Sequence, residues 1–421
     1  MSSPEFSTLG LAEPLLRALD RQRFIHPTPI QAAAVPHLLS GRDLLGIAQT
    51  GTGKTAAFAL PLLQHLAAQQ AAPQRFATRA LILAPTRELA LQIEDSLNRL
   101  GSETRLRTVA ILGGVSRFAQ VQRMRAGADI VVGTPGRICD LLSTGELRLN
   151  LVSRFVLDEA DRMLDLGFIR DIRRIVAALP AQRQSALFSA TMPTEVGQLA
   201  QTLLRDPVRV DVAITAPAKL PIAQYVHYVN AAGKRTLLGE LLADPALSRV
   251  IVFTRTKRSA DRVAEGLDTG GVRVSALHGN KSQPARQKAL EQFRSGRARV
   301  LVATDIAARG IDVTGISHVI NYDLPAAPED YVHRIGRTAR AGTSGVAISF
   351  CDAAEQGTLR AIERMTGTAL YVAGGSPPAR AANGPGHGAH RGTGNGGPVR
   401  PGIPPSHSGR RRSRGSLRRA A

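Results

Sequence analysis

Short apolar runs, each about the length of one β-strand, recur in two series along this 421-residue chain. Amphipathic stretches such as 87–100 and 169–179 separate most of the runs. Apolar runs of this length that alternate with helices are typical of parallel sheets covered on both faces. The sequence therefore predicts an α/β protein with two parallel sheets. The predicted strands are 80–83, 109–112, 130–132, 155–157 and 186–188 in the first series, and 250–253, 272–274, 300–302, 319–320 and 346–348 in the second.

A segment rich in Ala and Pro, residues 212–222, has neither a helical nor a strand period and lies between the two series. It predicts a linker that joins a first domain (1–211) to a second domain (223–371).

The last segment, 372–421, has twelve Gly, seven Pro and nine Arg, with no acidic and no aromatic residue. Such a composition cannot bury enough apolar surface to offset its ordering entropy, so it predicts a disordered basic tail. A passive solubilising tail is the alternative. The arginine cluster 410–414 favours phosphate contact, and the tail would then add affinity for a polyanion rather than specificity.

The charge of the chain indicates its class of partner. Basic residues outnumber acidic ones by 54 to 33, which gives a formal net charge of +21 at pH 7. Nucleic acid is the first candidate for the polyanionic partner, and an anionic membrane is the second. The sequence has no apolar run long enough for a membrane helix, and its first ten residues do not resemble a signal peptide. The two distant cysteines, Cys139 and Cys351, favour a reducing cytoplasm.

The segment 48–55, Ala-Gln-Thr-Gly-Thr-Gly-Lys-Thr, lies between an apolar run and a predicted helix. This is the strand–loop–helix context of a phosphate-binding loop, in which backbone N–H groups and a helix N-terminus bind phosphate. The alternative is a simple Gly-rich turn. In the favoured interpretation Lys54 reaches the β- and γ-phosphates and Thr55 binds Mg²⁺. The residues predicted to bind the nucleotide phosphates are Thr50, Gly51, Thr52, Gly53, Lys54 and Thr55.

Three carboxylates occur within four residues in Asp158-Glu159-Ala160-Asp161, directly after the predicted strand 155–157. Such a cluster is usually a solvated helix start, but beside a phosphate-binding loop a magnesium–nucleotide complex would compensate the repulsion. Asp158 is then predicted to hold Mg²⁺, and Glu159 to orient and deprotonate the attacking water.

The loop and the acidic tetrad together resemble the DEAD-box family of RNA helicases, and in particular its bacterial RhlE-type subgroup. The resemblance extends from residue 6 to about residue 371, with the family's motifs in order. It implies two tandem RecA-like domains that hydrolyse ATP with Mg²⁺. Within 27–31, which resembles the family's glutamine motif, Gln31 would bind the adenine edge, and Phe6 would stack on the base.

Both halves contain segments that resemble the family's RNA-backbone motifs. They are rich in Thr, Gly and Arg, which suit contacts to phosphate and sugar rather than to base edges. The residues implied to bind RNA are Pro85, Thr86, Arg87, Gly114, Thr134, Pro135, Gly136 and Arg137 in the first half, and His278, Gly279, Arg286 and Thr304 in the second. The segment Ser189-Ala190-Thr191 matches the motif that couples hydrolysis to unwinding.

The octet 333–340 resembles the family's arginine-finger motif, which implies that Arg337 and Arg340 reach the γ-phosphate. Outside this octet a basic stretch near a turn would more simply be a solvated surface. Gly310 and Asp312 match a motif that contacts RNA and nucleotide. The sequence departs from the family at Arg23 and Ala339, where the family commonly has glycine. Alanine at position 339 is expected to reposition Arg340 slightly.

The phosphate-binding loop and the arginine fingers lie in different halves, so the two domains must close on ATP for hydrolysis. RNA motifs in both domains would form one groove only after closure, and ATP and RNA would then raise each other's affinity. The resemblance implies local, sequence-independent unwinding of short RNA duplexes, in ribosome assembly or RNA turnover, with proteins of those processes as partners. An ATP-gated RNA clamp or scaffold with little strand separation is the alternative. A DNA-translocating motor is a third, less favoured reading.

Overall fold

The computed structural model describes residues 5–49, 51–69, 72–212, 222–308, 313, 315–339 and 344–377. Its strands are β1 (Leu44–Ile47), β2 (Thr78–Leu83), β3 (Thr108–Ile111), β4 (Ala128–Gly133), β5 (Arg154–Leu157), β6 (Gln184–Ser189), β7 (Val208–Asp211), β8 (Ile222–Tyr228), β9 (Val250–Phe253), β10 (Val274–Leu277), β11 (Val300–Ala303), β12 (His318–Asn321), β13 (Gly345–Cys351) and β14 (Tyr371–Gly374).

The α-helices are α1 (Glu13–Arg21), α2 (Pro29–Leu39), α3 (Lys54–Ala68), α4 (Arg87–Leu100), α5 (Arg117–Met124), α6 (Pro135–Ser143), α7 (Ala160–Asp165), α8 (Ile169–Ala177), α9 (Thr194–Leu203), α10 (Lys234–Ala243), α11 (Lys257–Thr269), α12 (Gln283–Arg294), α13 (Asp305–Ala308), α14 (Pro328–Ile335) and α15 (Gln356–Thr366). Short 3₁₀ helices span Phe6–Leu9 and Ala353–Glu355.

The strands form two seven-stranded sheets in which all neighbours are parallel. The first sheet has the order β3-β4-β2-β5-β6-β1-β7, and the second has the order β10-β11-β9-β12-β13-β8-β14. The predicted α/β class with two parallel sheets is confirmed. We call the part up to residue 212 the first lobe and residues 222–377 the second lobe. In the first sheet β5, β6 and β1 are neighbours, so the loops that follow them meet at one edge.

Each central strand contributes side chains to both faces of its sheet. In β2, Ala80 and Ile82 belong to one apolar cluster, and Leu81 and Leu83 belong to another on the opposite face. All four are fully buried. Helices on both faces therefore exclude water from the sheet, which leaves the loops at its carboxyl edge as the place for polar chemistry.

Side-chain caps start several of the helices at this edge. The hydroxyl groups of Thr86, Thr256 and Ser282 each accept a hydrogen bond from the backbone N–H three residues later, at 3.3, 3.1 and 3.4 Å. Such a cap satisfies one of the N–H groups that a helix leaves unpaired at its beginning. Two of these caps, at Thr86 and Ser282, start α4 and α12 and thereby set the position of RNA motifs predicted from the sequence.

The described ends of the segments differ from the predicted boundaries. Ile222, predicted to end the linker, begins β8, while Val212 still donates a hydrogen bond to the carbonyl of Ile47 at 3.0 Å. Strand β14 pairs with β8, so the second sheet continues past the boundary predicted at residue 371. The rest of the predicted linker (213–221) and of the predicted tail (378–421) lies outside the described residues. No helix within the described ranges is long and apolar enough to cross a membrane.

Candidate active site and nucleic-acid interface

The loop between β1 and α3 has the backbone of a phosphate cradle. Gly51 and Gly53 have φ of 89° and 91°, in the left-handed region that glycine adopts readily. Gly53 is the residue before α3, so the loop ends at a helix N-terminus. The Thr52 hydroxyl donates to the Gln49 carbonyl at 2.7 Å, which closes the turn. Thr50 lies outside the described residues.

The burial of the Lys54 side chain is the observation that a phosphate ligand best explains. Its side chain is only 6% exposed, and its Nζ has no hydrogen-bond partner among the described residues. Burying an ammonium group without a partner is costly, so such a group is normally paired. A phosphate oxygen would supply the missing acceptor. Thr55, the next residue of α3, is half-buried, as a hydroxyl that contacts a bound ion would be.

Gln31 connects the predicted adenine site to this loop. Its Oε1 accepts a hydrogen bond from the backbone N–H of Thr28 at 2.9 Å, and its Nε2 donates to the Gly53 carbonyl at 3.0 Å. One amide hydrogen and one lone pair remain for a base. Phe6, predicted to stack on the base, is instead 4% exposed and belongs to an apolar cluster of the first lobe. Little of its ring is open to a ligand in this structure.

Asp158 follows β5 and lies at the same edge as Lys54. It is 2% exposed, and its Oδ1 accepts a hydrogen bond from the Glu159 N–H at 3.0 Å. Burial raises the pKa of Asp158 to about 6, the positive charge of Lys54 opposes the shift, and the negative charge of Glu159 adds to it. A buried carboxylate that is costly to ionise fits a cation site. No group of three or more His, Cys, Asp or Glu side chains in the described part could hold a metal, so Mg²⁺ would need water and phosphate oxygens as further ligands.

Glu159 is held ionised although it is buried. Burial favours its neutral form, but the charges of Arg162, Lys54 and Arg337 together hold the pKa of Glu159 below its ordinary value. Arg162 donates to Glu159 Oε2 at 3.2 Å. The backbone of Glu159 is left-handed, with φ of 54°, an unusual conformation for this residue that turns its side chain out of the strand direction. Arg337 comes from the second lobe, so charges of both lobes act on this carboxylate.

Asp161 joins two predicted motifs. Its Oδ2 accepts hydrogen bonds from the backbone N–H groups of Ala190 and Thr191 at 3.2 and 2.9 Å and from the Thr191 hydroxyl at 2.8 Å. Its own N–H donates to Ser189 Oγ at 3.2 Å. The acidic tetrad after β5 and the Ser-Ala-Thr segment after β6 therefore form one hydrogen-bonded unit.

In the second lobe, Arg337 and Arg334 of the predicted finger motif have different environments. Arg337 is 4% exposed and donates from Nε to the His333 carbonyl at 3.1 Å. Arg334 is 2% exposed and makes a two-point contact with the Asp305 carboxylate at 2.6 and 2.7 Å. Arg334 is thus a structural anchor between α14 and α13. Arg340, Gly310 and Asp312 lie outside the described residues.

A cavity of about 660 Å³ separates the two lobes beside these groups. Glu159, Asp161 and Thr191 of the first lobe line one side of it, and His333 and Arg337 of the second lobe line the other. The predicted base and the predicted arginine finger therefore face the same space. This arrangement requires the two lobes to be close together.

The predicted RNA motifs of the first lobe lie close to one another. A Cβ atom at Gly114 would overlap the guanidinium group of Arg87, so a side chain at this position would push the end of Arg87 away. Arg137 donates to the carbonyl of Val115, the residue after Gly114, at 3.2 Å. Pro85 is buried before α4, and Thr134, Pro135 and Gly136 form the N-terminus of α6. The Thr134 N–H donates to the Ile111 carbonyl at 3.2 Å and Pro135 has no N–H, so among these three residues Gly136 has the N–H that a helix start leaves unpaired.

A contact between the lobes continues this surface into the second lobe. Arg286 Nη2 pairs with Glu88 Oε2 at 2.8 Å, and both side chains are at least nine-tenths buried. Gln283 donates to Glu88 Oε1 at 3.4 Å and accepts from Arg87 Nη1 at 3.4 Å. Burial and the nearby positive charge of Arg286 lower the pKa of Arg87, and the charge of Arg137 adds to the shift. Three arginines from two lobes thus lie near one another, as a polyanion would require.

The remaining predicted RNA residues are more varied. His278 is 1% exposed, and its Nε2 lies 2.9 Å from Asp261 Oδ1, so it is placed to position its loop rather than to present its ring to RNA. Gly279, the next residue, is exposed. Thr304 is 8% exposed, and its N–H donates to the Leu277 carbonyl at 3.3 Å, which connects the loops after β10 and β11.

Comparison with known proteins identifies the family. Residues 28–199 match the family model described as DEAD/DEAH box helicase, and residues 233–342 match the helicase conserved C-terminal domain. The chain is 44% identical to the DEAD-box ATP-dependent RNA helicase CshA of Geobacillus kaustophilus over 86% of this chain and 76% of that one. It is 43% identical to the ATP-dependent RNA helicase CshA of Listeria monocytogenes over 86% and 69% of the two chains. The chain therefore belongs to the DEAD-box family of ATP-dependent RNA helicases. Neither relative bears the name RhlE, so that subgroup stays a prediction.

Solved structures indicate which lobe arrangement this fold resembles. A variant of S. cerevisiae Dbp5 bound to RNA and ADP BeF3 is similar with a TM-score of 0.79, at 35% identity over 88% of this chain and 95% of that one. The same variant bound to Nup159, Gle1, IP6 and ADP gives only 0.61, at 34% identity over 87% and 96%. Mss116p bound to ssRNA and AMP-PNP gives 0.80, at 27% identity over 89% and 80%. Since one Dbp5 variant gives both values, the lobes are arranged more as in its complex with RNA and ADP BeF3.

Sequence reasoning assigned no role to Asp161, Glu88 or Arg334. Asp161 is the last residue of the tetrad, so the sequence showed that it belongs to a motif. The sequence did not show that it contacts residues after β6. Glu88 lies within the segment 85–89, and its partner is almost two hundred residues away. A single sequence contains no signal for such a long-range pair.

Proposed function

We propose that this chain hydrolyses ATP in response to RNA and uses closure of its two lobes to unwind or remodel short RNA duplexes locally. The observation that carries this proposal is the cavity that Glu159 of the first lobe shares with Arg337 of the second. Burial opposes ionisation of Glu159, but the charges of Arg162, Lys54 and Arg337 hold its pKa below the ordinary value. A site divided in this way is complete only when the lobes meet. Hydrolysis then depends on whatever brings them together.

The roles in hydrolysis follow from the environments of the side chains. Lys54 binds the β- and γ-phosphates, because its buried ammonium group has no hydrogen-bond acceptor among the described residues. Glu159, ionised at neutral pH, accepts the proton of the attacking water. Arg337 stabilises the charge that develops on the transferred phosphoryl group, an effect of about 10³–10⁵ in rate for arginine fingers. Arg340 and the nucleotide contacts of Gly310 and Asp312 remain part of the proposal through the family resemblance.

Mg²⁺ is the metal that fits this donor set, with Asp158 and Thr55 as the protein groups that would hold it. The ion supplies positive charge to the phosphate oxygens. The raised pKa of Asp158 supports this assignment, since a nearby cation would favour its ionised form.

RNA is bound along the surface defined by Arg87, Gly114, Arg137 and Arg286, through phosphate and sugar contacts. These residues come from both lobes, and Glu88–Arg286 connects them. RNA that spans the surface therefore stabilises the same closed arrangement that completes the ATP site. The two ligands then raise each other's affinity, as linkage requires.

Ribosome assembly or RNA turnover in the cytoplasm is the process we propose, with proteins of those processes as further partners. Membership in the family and a formal net charge of +21 support this proposal. Subgroup membership among RhlE-type enzymes and added RNA affinity from the basic tail are parts of the same proposal.

ATP hydrolysis by the intact chain, measured with and without single-stranded RNA, tests this function. We expect RNA to raise turnover strongly, and we expect Arg337→Ala to remove most of that increase without preventing ATP binding. Turnover that is unaffected by RNA would contradict the proposal. Displacement of a short duplex with a single-stranded overhang then separates a helicase from the alternative, an ATP-gated clamp, which would bind without separating the strands.

A further inference from the structure

Helix α8 carries three arginines on one face. Arg170, Arg173 and Arg174 are spaced at i, i+3 and i+4, which places their side chains on the same side of a helix. All three are exposed, whereas Ile172 and Ile175 on the opposite side are fully buried. The helix is therefore fixed to the first lobe by its apolar side and presents a row of positive charge to solvent.

These charges have no protein partner in the described part of the chain, where no hydrogen bond or ion pair involves the three side chains. Like charges one helical turn apart disfavour the helix. Arg170 adds to the cost because it lies in the first turn, at the positive end of the helix dipole. Bound anions would relieve both effects.

The position of α8 indicates which anion this is. Asp171, in the same first turn, points toward α6, where its Oδ2 lies 3.9 Å from the place that a Cβ atom at Gly136 would occupy. Cys139 Sγ contacts the Asp171 carbonyl at 3.5 Å one turn further along. The arginine face thus begins beside the N-terminus of α6, which is part of the proposed RNA surface.

We propose that Arg170, Arg173 and Arg174 bind phosphates of the RNA strand just beyond the segment held between the two lobes. Arg170 and Arg174 are separated by about 6 Å along the helix axis. Contacts of guanidinium groups with phosphates position the strand without reading its sequence. The inference deepens the proposed function, and it rests on RNA being the ligand of the neighbouring surface.

The test compares RNA affinity at several salt concentrations for the full-length chain and three triple variants, with a non-hydrolysable ATP analogue present throughout. The first variant carries Arg170→Gln, Arg173→Gln and Arg174→Gln, and the second has lysine at the same positions. The control variant has glutamine at three exposed arginines that lie at the opposite, amino-terminal edges of the sheets: Arg105, Arg294 and Arg297. Two RNAs are used, one of about 6 nucleotides, which fits the groove alone, and one of about 20, which extends past it.

On the long RNA, we expect the glutamine variant to lower the slope of log affinity against log salt by about 2, since each lost phosphate contact contributes about 0.7 on a single strand. The lysine variant and the control variant should keep the wild-type slope, and on the short RNA all four proteins should agree. Suppose that the wild-type protein binds RNA. The α8 inference alone is then wrong if the glutamine variant keeps the wild-type salt slope on the long RNA, or if the control variant lowers that slope by as much as the glutamine variant does. If RNA neither binds wild-type protein nor stimulates its ATP hydrolysis, the proposed function fails as well.

Discussion

Arg23 and Ala339, the two positions at which the chain departs from the family's glycines, both have left-handed backbone, with φ of 58° and 54°. The sequence could show that glycine was missing, but it could not show what glycine does at these places. A residue with a Cβ atom is strained by about 1–2 kcal/mol in this conformation. The departures are therefore local costs in stability that leave the reacting groups unchanged.

Arg23→Gly should accordingly stabilise the protein. Glycine removes the backbone strain at position 23, although it loses more conformational entropy on folding than arginine does. The relief of strain is the larger effect, so we expect the free energy of unfolding to rise by about 0.5–1 kcal/mol. Ala339→Gly should gain less, because its methyl group packs against an apolar cluster of the second lobe. Denaturant unfolding measures both. Ala178→Gly, at an exposed position with φ of −89°, is the control and should lose stability.

The raised pKa of Asp158 predicts how the stability of the protein depends on pH. Its folded-state pKa is raised to about 6 from an ordinary value of 3.8, so the folded protein binds this proton more tightly than the unfolded chain does. The ionised carboxylate therefore destabilises the nucleotide-free protein fully above about pH 6, and the penalty declines as the pH falls from about 6 toward the ordinary value of 3.8. Asp158→Asn should raise the free energy of unfolding on the order of 2 kcal/mol more at about pH 8 than at about pH 4.

Urea unfolding at the two pH values, without nucleotide or Mg²⁺, measures this difference. Asp20→Asn, on the exposed surface of α1, is the matched control and should show no such dependence on pH. A stabilisation by Asp158→Asn that is equal at both pH values would show that burial does not raise the pKa of this carboxyl.

At the scale of elements, strands that are buried throughout were predictable, and three strands with exposed residues were not. The predicted runs 80–83, 130–132 and 250–253, which lie in β2, β4 and β9, are apolar throughout because helices cover both faces. By contrast, β7 and β8 combine a few buried residues with half-buried and exposed ones, and β14 is almost wholly exposed. Their weak apolar signal left them within or next to the predicted linker and tail. The edge strand predicted at 272–274 is β10, displaced toward the carboxyl side.

The residues of the candidate site also divide into those that the sequence could predict and those that it could not. Motifs that bind through their own backbone, such as the loop before Lys54, could be recognised because glycines and a helix start are contiguous in sequence. The unit formed by Asp161 with Ser189 and Thr191 could not, because it depends on β5 and β6 being neighbours. The strand order is a property of the folded sheet, and it brings together loops that are far apart in the chain.

At the scale of the whole molecule, the contact of Glu88 with Arg286 is the clearest link between the lobes. The pair is buried, at 2.8 Å, and Gln283 reinforces it from the second lobe. A buried charge that loses its partner is strongly destabilised, whereas the same groups are free to bind water when the lobes separate. The pair should therefore stabilise the closed arrangement specifically and leave the folding of each lobe unaffected.

Glu88→Gln should weaken RNA binding in the presence of a non-hydrolysable ATP analogue by roughly ten- to a hundredfold. It removes the charge that pairs with Arg286 and accepts a hydrogen bond from Gln283, a loss of about 1–3 kcal/mol. RNA binding without nucleotide should change much less, because it does not require closure. Asp95→Asn removes an exposed ion pair with Arg99 within the same helix and serves as the control. The double variant with Glu88→Gln and Arg286→Gln separates the effect of the ion pair from any direct contact of Arg286 with RNA. If the pair matters, Arg286→Gln should weaken RNA binding less in the Glu88→Gln background than it does in the wild-type protein. Additive losses would mean that the two residues bind RNA independently and that the lobes close by other contacts.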